Sequence, residues 1–115
     1  MTKALSNTGL SDSDLKIIQD TVASIAEIDQ VILFGSRAKA TYKLGSDVDL
    51  VIKSKDINDH SANLVAELLN EQSPLPYFFD VLTYSCIDEP KLLEHIDRVG
   101  ILLFDRIDKA HSSTV

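Results

Sequence analysis

Two runs decide how this chain reads: Val31-Ile32-Leu33-Phe34-Gly35-Ser36-Arg37 and, with ten residues between Ser36 and its start, Asp47-Val48-Asp49-Leu50-Val51-Ile52-Lys53. Val31 to Phe34 are apolar and rich in β-branching, and glycine cuts them off, which predicts a buried strand ending in a sharp turn. Residues 47–53 predict a second strand. Side chains two apart on a strand share a face, so Asp47 and Asp49 stand side by side. Two carboxylates so placed repel each other, and an otherwise apolar strand is not stabilised by them. A divalent cation removes the repulsion, and hard oxygen ligands suit Mg²⁺ or Mn²⁺. Gly35 lets a ligand approach the backbone closely, and the turn amides and the Ser36 hydroxyl can donate to phosphate oxygens. A phosphate cradle beside a metal pair points to phosphoryl or nucleotidyl transfer.

A third carboxylate, Asp80, lies within Pro76-Tyr77-Phe78-Phe79-Asp80-Val81-Leu82, an apolar strand where an acidic group is costly without a partner. If that strand runs beside the second, Asp80 shares the metal site. Two-metal chemistry then has Asp47 and Asp49 hold both ions over a triphosphate. Asp80 completes the ion that activates an acceptor hydroxyl, or takes its proton. Arg37 either reaches phosphate oxygens or pairs with a surface carboxylate. His60, His95 and His111 show no metal-ligand spacing, and Lys39, Lys43 and Lys53 read as solvated. Cys86 reads as a small apolar filler. Tyr77, Phe78 and Phe79 read as core, and Leu92, Leu93, Ile96 and Val99 as an ordinary helix face.

Outward from these runs, strands and helices alternate. Ser11 and Asp14 predict a helix N-cap with an acidic first turn, and Leu15, Ile18, Val22 and Ile25 carry that helix over about residues 12–27. A second helix is expected over 57–71, with Ile57, Leu64, Val65, Leu68 and Leu69 facing the core. A third strand is expected over 78–84. A further helix starts at Asp88-Glu89-Pro90 and stops at Gly100, and a last strand covers 101–104. The fold class is α+β (or α/β): a small mixed sheet of about four strands, helices mainly on one face, and the three aspartates at one end. Residues 1–10 and 107–115 read as flexible flanks of a domain over 11–106.

At 115 residues, there is room for one domain and a sizeable core. Eleven basic residues against eighteen acidic ones leave a formal net charge of −7, with no basic cluster, which argues against sequence-independent nucleic-acid binding. A template-directed polymerase is excluded on the same ground. One cysteine makes no internal disulfide and fits a reducing compartment. No signal peptide and no membrane-length apolar run are visible, so the expected location is cytoplasmic.

The pattern G-S-x10-D-x-D, followed by a distant strand aspartate, resembles the minimal nucleotidyltransferase (MNT) group of the DNA polymerase β-like superfamily, from about residue 12 to residue 104. The resemblance implies that Gly35 and Ser36 bind triphosphate, that Asp47 and Asp49 are paired metal ligands, and that Asp80 is the third. It implies two Mg²⁺ ions and ATP as donor. It also implies a separately encoded, all-helical HEPN-domain partner and AMP transfer to a partner tyrosine, in the manner of an antitoxin acting on its toxin. Many relatives have glycine where this chain has Ala40, which implies a less open loop after Arg37. Several relatives carry a further helical domain that closes the cleft, a wall a partner would supply here. The alternative is a catalytically silent module that neutralises its partner by binding alone.

Overall fold

The computed structural model describes residues 8–43, 45–56 and 58–106. Helix α1 spans Asp12–Ala23. Its N-terminus is closed by a reciprocal pair: the Asp14 amide donates to Ser11 Oγ at 3.0 Å, and the Ser11 amide donates to Asp14 Oδ2 at 3.1 Å. Leu10, just before the cap, is buried in the same cluster as Leu15, the staple that fixes how the chain enters a helix. Residues 8–10, read from sequence as part of a flexible lead-in, are therefore built into the protein, with Thr8 and Leu10 both buried. Residues 1–7 and 107–115, with His111, lie outside the described residues, as does Ile57. Helix α1 stops at Ala23, earlier than its apolar period suggests. Arg106 collects the carbonyls of Ala23, Ile25 and Ile28 at 3.2, 3.0 and 2.8 Å, so the chain turns there to bring Ile25 into the core.

Four strands make one mixed sheet in the order β3-β2-β1-β4. Strand β1 (Ile28–Phe34) runs antiparallel to β2 (Val48–Ser54) and to β4 (Ile101–Asp105). Strand β3 (Phe79–Thr83) lies parallel to β2. Between β1 and β2 lies a single helical turn, α2 (Gly35–Ala38). A parallel pair needs a crossover, and helix α3 (His60–Glu67) supplies it, running on into a π-helical turn at Leu68–Gln72. From that turn the Asn70 amide folds onto the edge strand. It donates to the Phe79 carbonyl at 3.0 Å and accepts from the Phe79 amide at 2.8 Å, sealing two edge groups that would otherwise invite pairing.

Alternation along the strands divides the apolar residues between two faces. Val31, Leu33, Val48, Leu50, Ile52 and Phe79 turn to α1 and α3 and form the main core with Ile18, Val22, Val65 and Leu69. On the other face, Phe34 and Val51 meet Ile96 of helix α4 (Pro90–Val99) in a small second cluster. Phe78 has the opposite parity to Phe79 and is 59% exposed, against the expectation of a core residue. Cys86 is exposed at the end of a 3₁₀ turn, so it fills no core gap either. Among the described residues, no helix is long and apolar enough to cross a membrane.

Candidate functional site

The strand registers draw one row across the sheet. Phe34 of β1 is opposite Asp49 of β2, and Asp49 is opposite Asp80 of β3. Directly paired residues share a face, so Asp49 and Asp80 lie together on the α4 face, at the sheet end where β1 finishes and β2 and β3 begin. Asp47 precedes Asp49 by two residues, just before β2 starts. Asp47 and Asp80 are exposed, and Asp49 is half-buried between them.

Electrostatics registers this proximity. Burial, then the charge of Asp80, then that of Asp47 push the Asp49 carboxyl above the usual range, and Arg37 opposes them. Asp49 is thus a carboxylate whose negative charge the protein alone compensates poorly. The three side chains do not form one tight cluster: among the described residues, no three His, Cys, Asp or Glu groups stand ready around a single metal position. Strand register fixes the backbones of Asp49 and Asp80, while two of the three side chains reach into solvent and are free to spread.

Gly35 follows β1 directly and has φ +77°, a left-handed conformation that glycine adopts without strain. A Cβ at this position would collide with Asp49 Oδ2. The turn and the acidic strand are therefore fitted to each other, and only glycine lets them approach so closely. Its amide donates to His95 Nε2 at 3.2 Å, and the His95 ring meets Phe34 edge-on, centroids 6.2 Å apart at 79°. This amide, which the sequence suggests as a phosphate donor, is taken here by an imidazole. Ser36, the next residue, is half-buried at the start of α2. His95 carries no motif, and only the folding of α4 onto β1 reveals its contact.

Arg37 has a different role from either sequence reading. It is 3% exposed, donates to the carbonyls of Thr8 at 2.8 Å and Ser46 at 2.9 Å, and lies 4.9 Å from the ring centroids of both Tyr42 and Tyr77. A buried cation is stabilised by carbonyls and aromatic faces, and this one ties the segment before α1 to the loop before β2. Tyr77 in turn donates to Asp14 at 2.8 Å. Burial alone would raise the Asp14 carboxyl. Hydrogen bonds from the Ser11 amide, the Tyr77 hydroxyl and the Ser11 hydroxyl, with the Arg37 charge, outweigh it and hold the group below its ordinary range. In the same loop, Ala40 has φ +61°. Alanine is strained in this left-handed conformation, which glycine adopts freely.

The polymerase β nucleotidyltransferase family model matches residues 16–109. No curated protein sequence matches the chain. Among solved structures, a toxin–antitoxin complex with AMP-PNP is similar at 20% identity, over 85% of this chain and 77% of that chain, with a TM-score of 0.65. An MntA-HepT toxin–antitoxin structure is similar at 16% identity, over 86% and 76% of the two chains, with a TM-score of 0.58. A structure of a tri-AMPylated Shewanella oneidensis HEPN toxin in complex with an MNT antitoxin is similar at 16% identity, over 84% and 77%, with a TM-score of 0.56. At such identities these likenesses speak to the fold. With the family match spanning most of its length, the chain belongs to the polymerase β nucleotidyltransferase family, and it shares its fold with the chains matched in these toxin–antitoxin structures.

Proposed function

We propose that the protein transfers AMP from ATP to a tyrosine hydroxyl of a helical, HEPN-type partner, the tyrosine oxygen replacing pyrophosphate on the α-phosphorus, with Mg²⁺ held by Asp47, Asp49 and Asp80, and so acts as an antitoxin. The observation that carries this reading is Asp49: half-buried, opposite Asp80, pressed against the Gly35 turn, and carrying a charge that Arg37 offsets only in part. Family membership supports nucleotidyl transfer as the reaction class. The acceptor is inferred by likeness to a complex whose HEPN toxin is AMPylated.

The donor set fits a hard divalent cation, since all three groups are carboxylates and the half-buried one is the most poorly compensated. Bound there, Mg²⁺ would offset the triphosphate charge and lower the pKa of the acceptor hydroxyl. The chain itself supplies the rest. Asp47 and Asp49 present oxygens from one strand and fix where the donor sits. Asp80, on the edge strand and exposed, faces the open side from which an acceptor enters, and can take the hydroxyl proton. Gly35 keeps the backbone out of the way, and the Ser36 hydroxyl donates to a phosphate oxygen.

Incubation with labelled ATP, Mg²⁺ and the helical partner tests the reading. Label is expected on a partner tyrosine and is expected to vanish with Asp47→Asn. If the partner is neutralised equally by Asp47→Asn and no label is transferred, binding alone is the function and catalysis is refuted.

A further inference from the structure

We infer that His95, on a helix carrying none of the proposed metal ligands, is a positioning residue that sets the nucleotide-binding turn by holding the Gly35 amide. The inference rests on the nucleotide-binding reading of that turn and adds a residue to it. Gly35 is gripped from two sides. Asp49 occupies the space where a side chain would stand, and His95 Nε2 accepts the amide hydrogen at 3.2 Å. An accepting Nε2 places the imidazole proton on Nδ1, so the neutral ring is the form that makes this bond.

The histidine is itself held in place. Its neighbour Ile96 is buried against Phe34 and Val51, and its ring meets Phe34, the residue just before the turn. At the far end of α4, a Cβ on Gly100 would lie 2.6 Å from Ile32 Cγ2, so helix and strand are in close contact there too. Helix α4 therefore cannot slide along β1 without dragging His95 off the turn. Two consequences follow for a bound triphosphate. The Gly35 amide is not among its donors, which leaves the contacts to Ser36 and the residues after it. And the direction of those donors depends on a hydrogen bond made from the opposite side of the turn.

The test pairs His95→Ala with His95→Gln, whose side-chain oxygen can accept the same hydrogen. The chain has four glycines, so ¹⁵N-glycine labelling isolates the Gly35 amide resonance. The His95→Ala variant is expected to move that resonance upfield and to weaken binding of AMP-PNP with Mg²⁺ about fivefold, the effect of one hydrogen bond. His95→Gln is expected to restore most of both. An unmoved resonance in His95→Ala overturns the inference, as does tighter nucleotide binding, which would make His95 a competitor of the phosphate. Equal losses in the two variants, both folded, overturn it as well. Should the unmodified protein bind no nucleotide, the functional proposal fails, while the Gly35 resonance still decides whether His95 holds the turn.

Discussion

The two faces of this four-stranded sheet are built on opposite principles. The face toward α1 and α3 is apolar almost throughout, with Ile18, Val22, Val31, Leu33, Leu50 and Ile52 fully buried. The face toward α4 has a small apolar cluster of Phe34, Val51 and Ile96 at its centre, and beside it the row ends in Asp49 and Asp80. One face removes apolar surface from water. The other keeps charge near an open edge, where a ligand could reach it. Strand alternation lets seven residues of β2 serve both faces at once: Val48, Leu50 and Ile52 look one way while Asp49 looks the other.

Substitutions can break or sharpen this contrast. The largest stability effect belongs to the main face, where Phe79→Ala should cost about 3–5 kcal/mol in denaturant unfolding. On the α4 face, Ile96→Ala should cost about 2 kcal/mol, near the lower end for such truncations, because fewer buried neighbours surround it. Equal losses at the two positions would dissolve the distinction. Where the turn meets the acidic strand, Gly35→Ala adds a left-handed alanine, about 1–2 kcal/mol, and a collision with Asp49. Combined with Asp49→Ala, the loss should be smaller than the sum of the two single changes, and strict additivity would show that the two residues are not in contact.

Asp49 offers a test with the opposite sign. Its folded-state pKa is raised, so the folded protein binds the proton more tightly than the unfolded chain, and stability falls as pH rises through the folded-state value. Asp49→Asn should therefore raise the melting temperature at pH 7 without divalent ions. The gain should disappear in acid, below about pH 4, where the carboxyl is protonated in both states. With excess Mg²⁺, the unmodified protein should gain stability and the variant should not. An Asp49→Asn variant less stable at neutral pH would mean that the carboxylate is a structural partner after all. The smallest effect is expected at Ala40→Gly, which should stabilise by about 0.5–1 kcal/mol in the same unfolding measurement by relieving a left-handed alanine.

Much of the candidate site was legible because local pattern encodes it. The apolar run broken by Gly35 announced a strand and a turn, and the period of two placed Asp47 and Asp49 on one side. Asp80 was legible as an acidic residue inside an apolar strand. Arg37 misled, because a basic residue after a Gly-Ser pair suggests phosphate, and nothing local says that Thr8, Ser46, Tyr42 and Tyr77 will enclose it. Phe78 misled for a related reason. An aromatic run reads as core, but alternation sends adjacent residues to opposite faces, and at Phe78 that other side is open to solvent.

From the sequence alone came the alternation of elements, the positions of the strands, the N-cap of α1 and the identity of the acidic residues, since each depends on neighbours a few positions away. The tertiary structure decided the strand order, the parallel pairing that sets Asp80 opposite Asp49, the side of the sheet on which α4 lies, and the meeting of His95 with Gly35 across 60 positions of chain. Those outcomes depend on which faces can be buried together, and packing settles that only when the whole chain has folded.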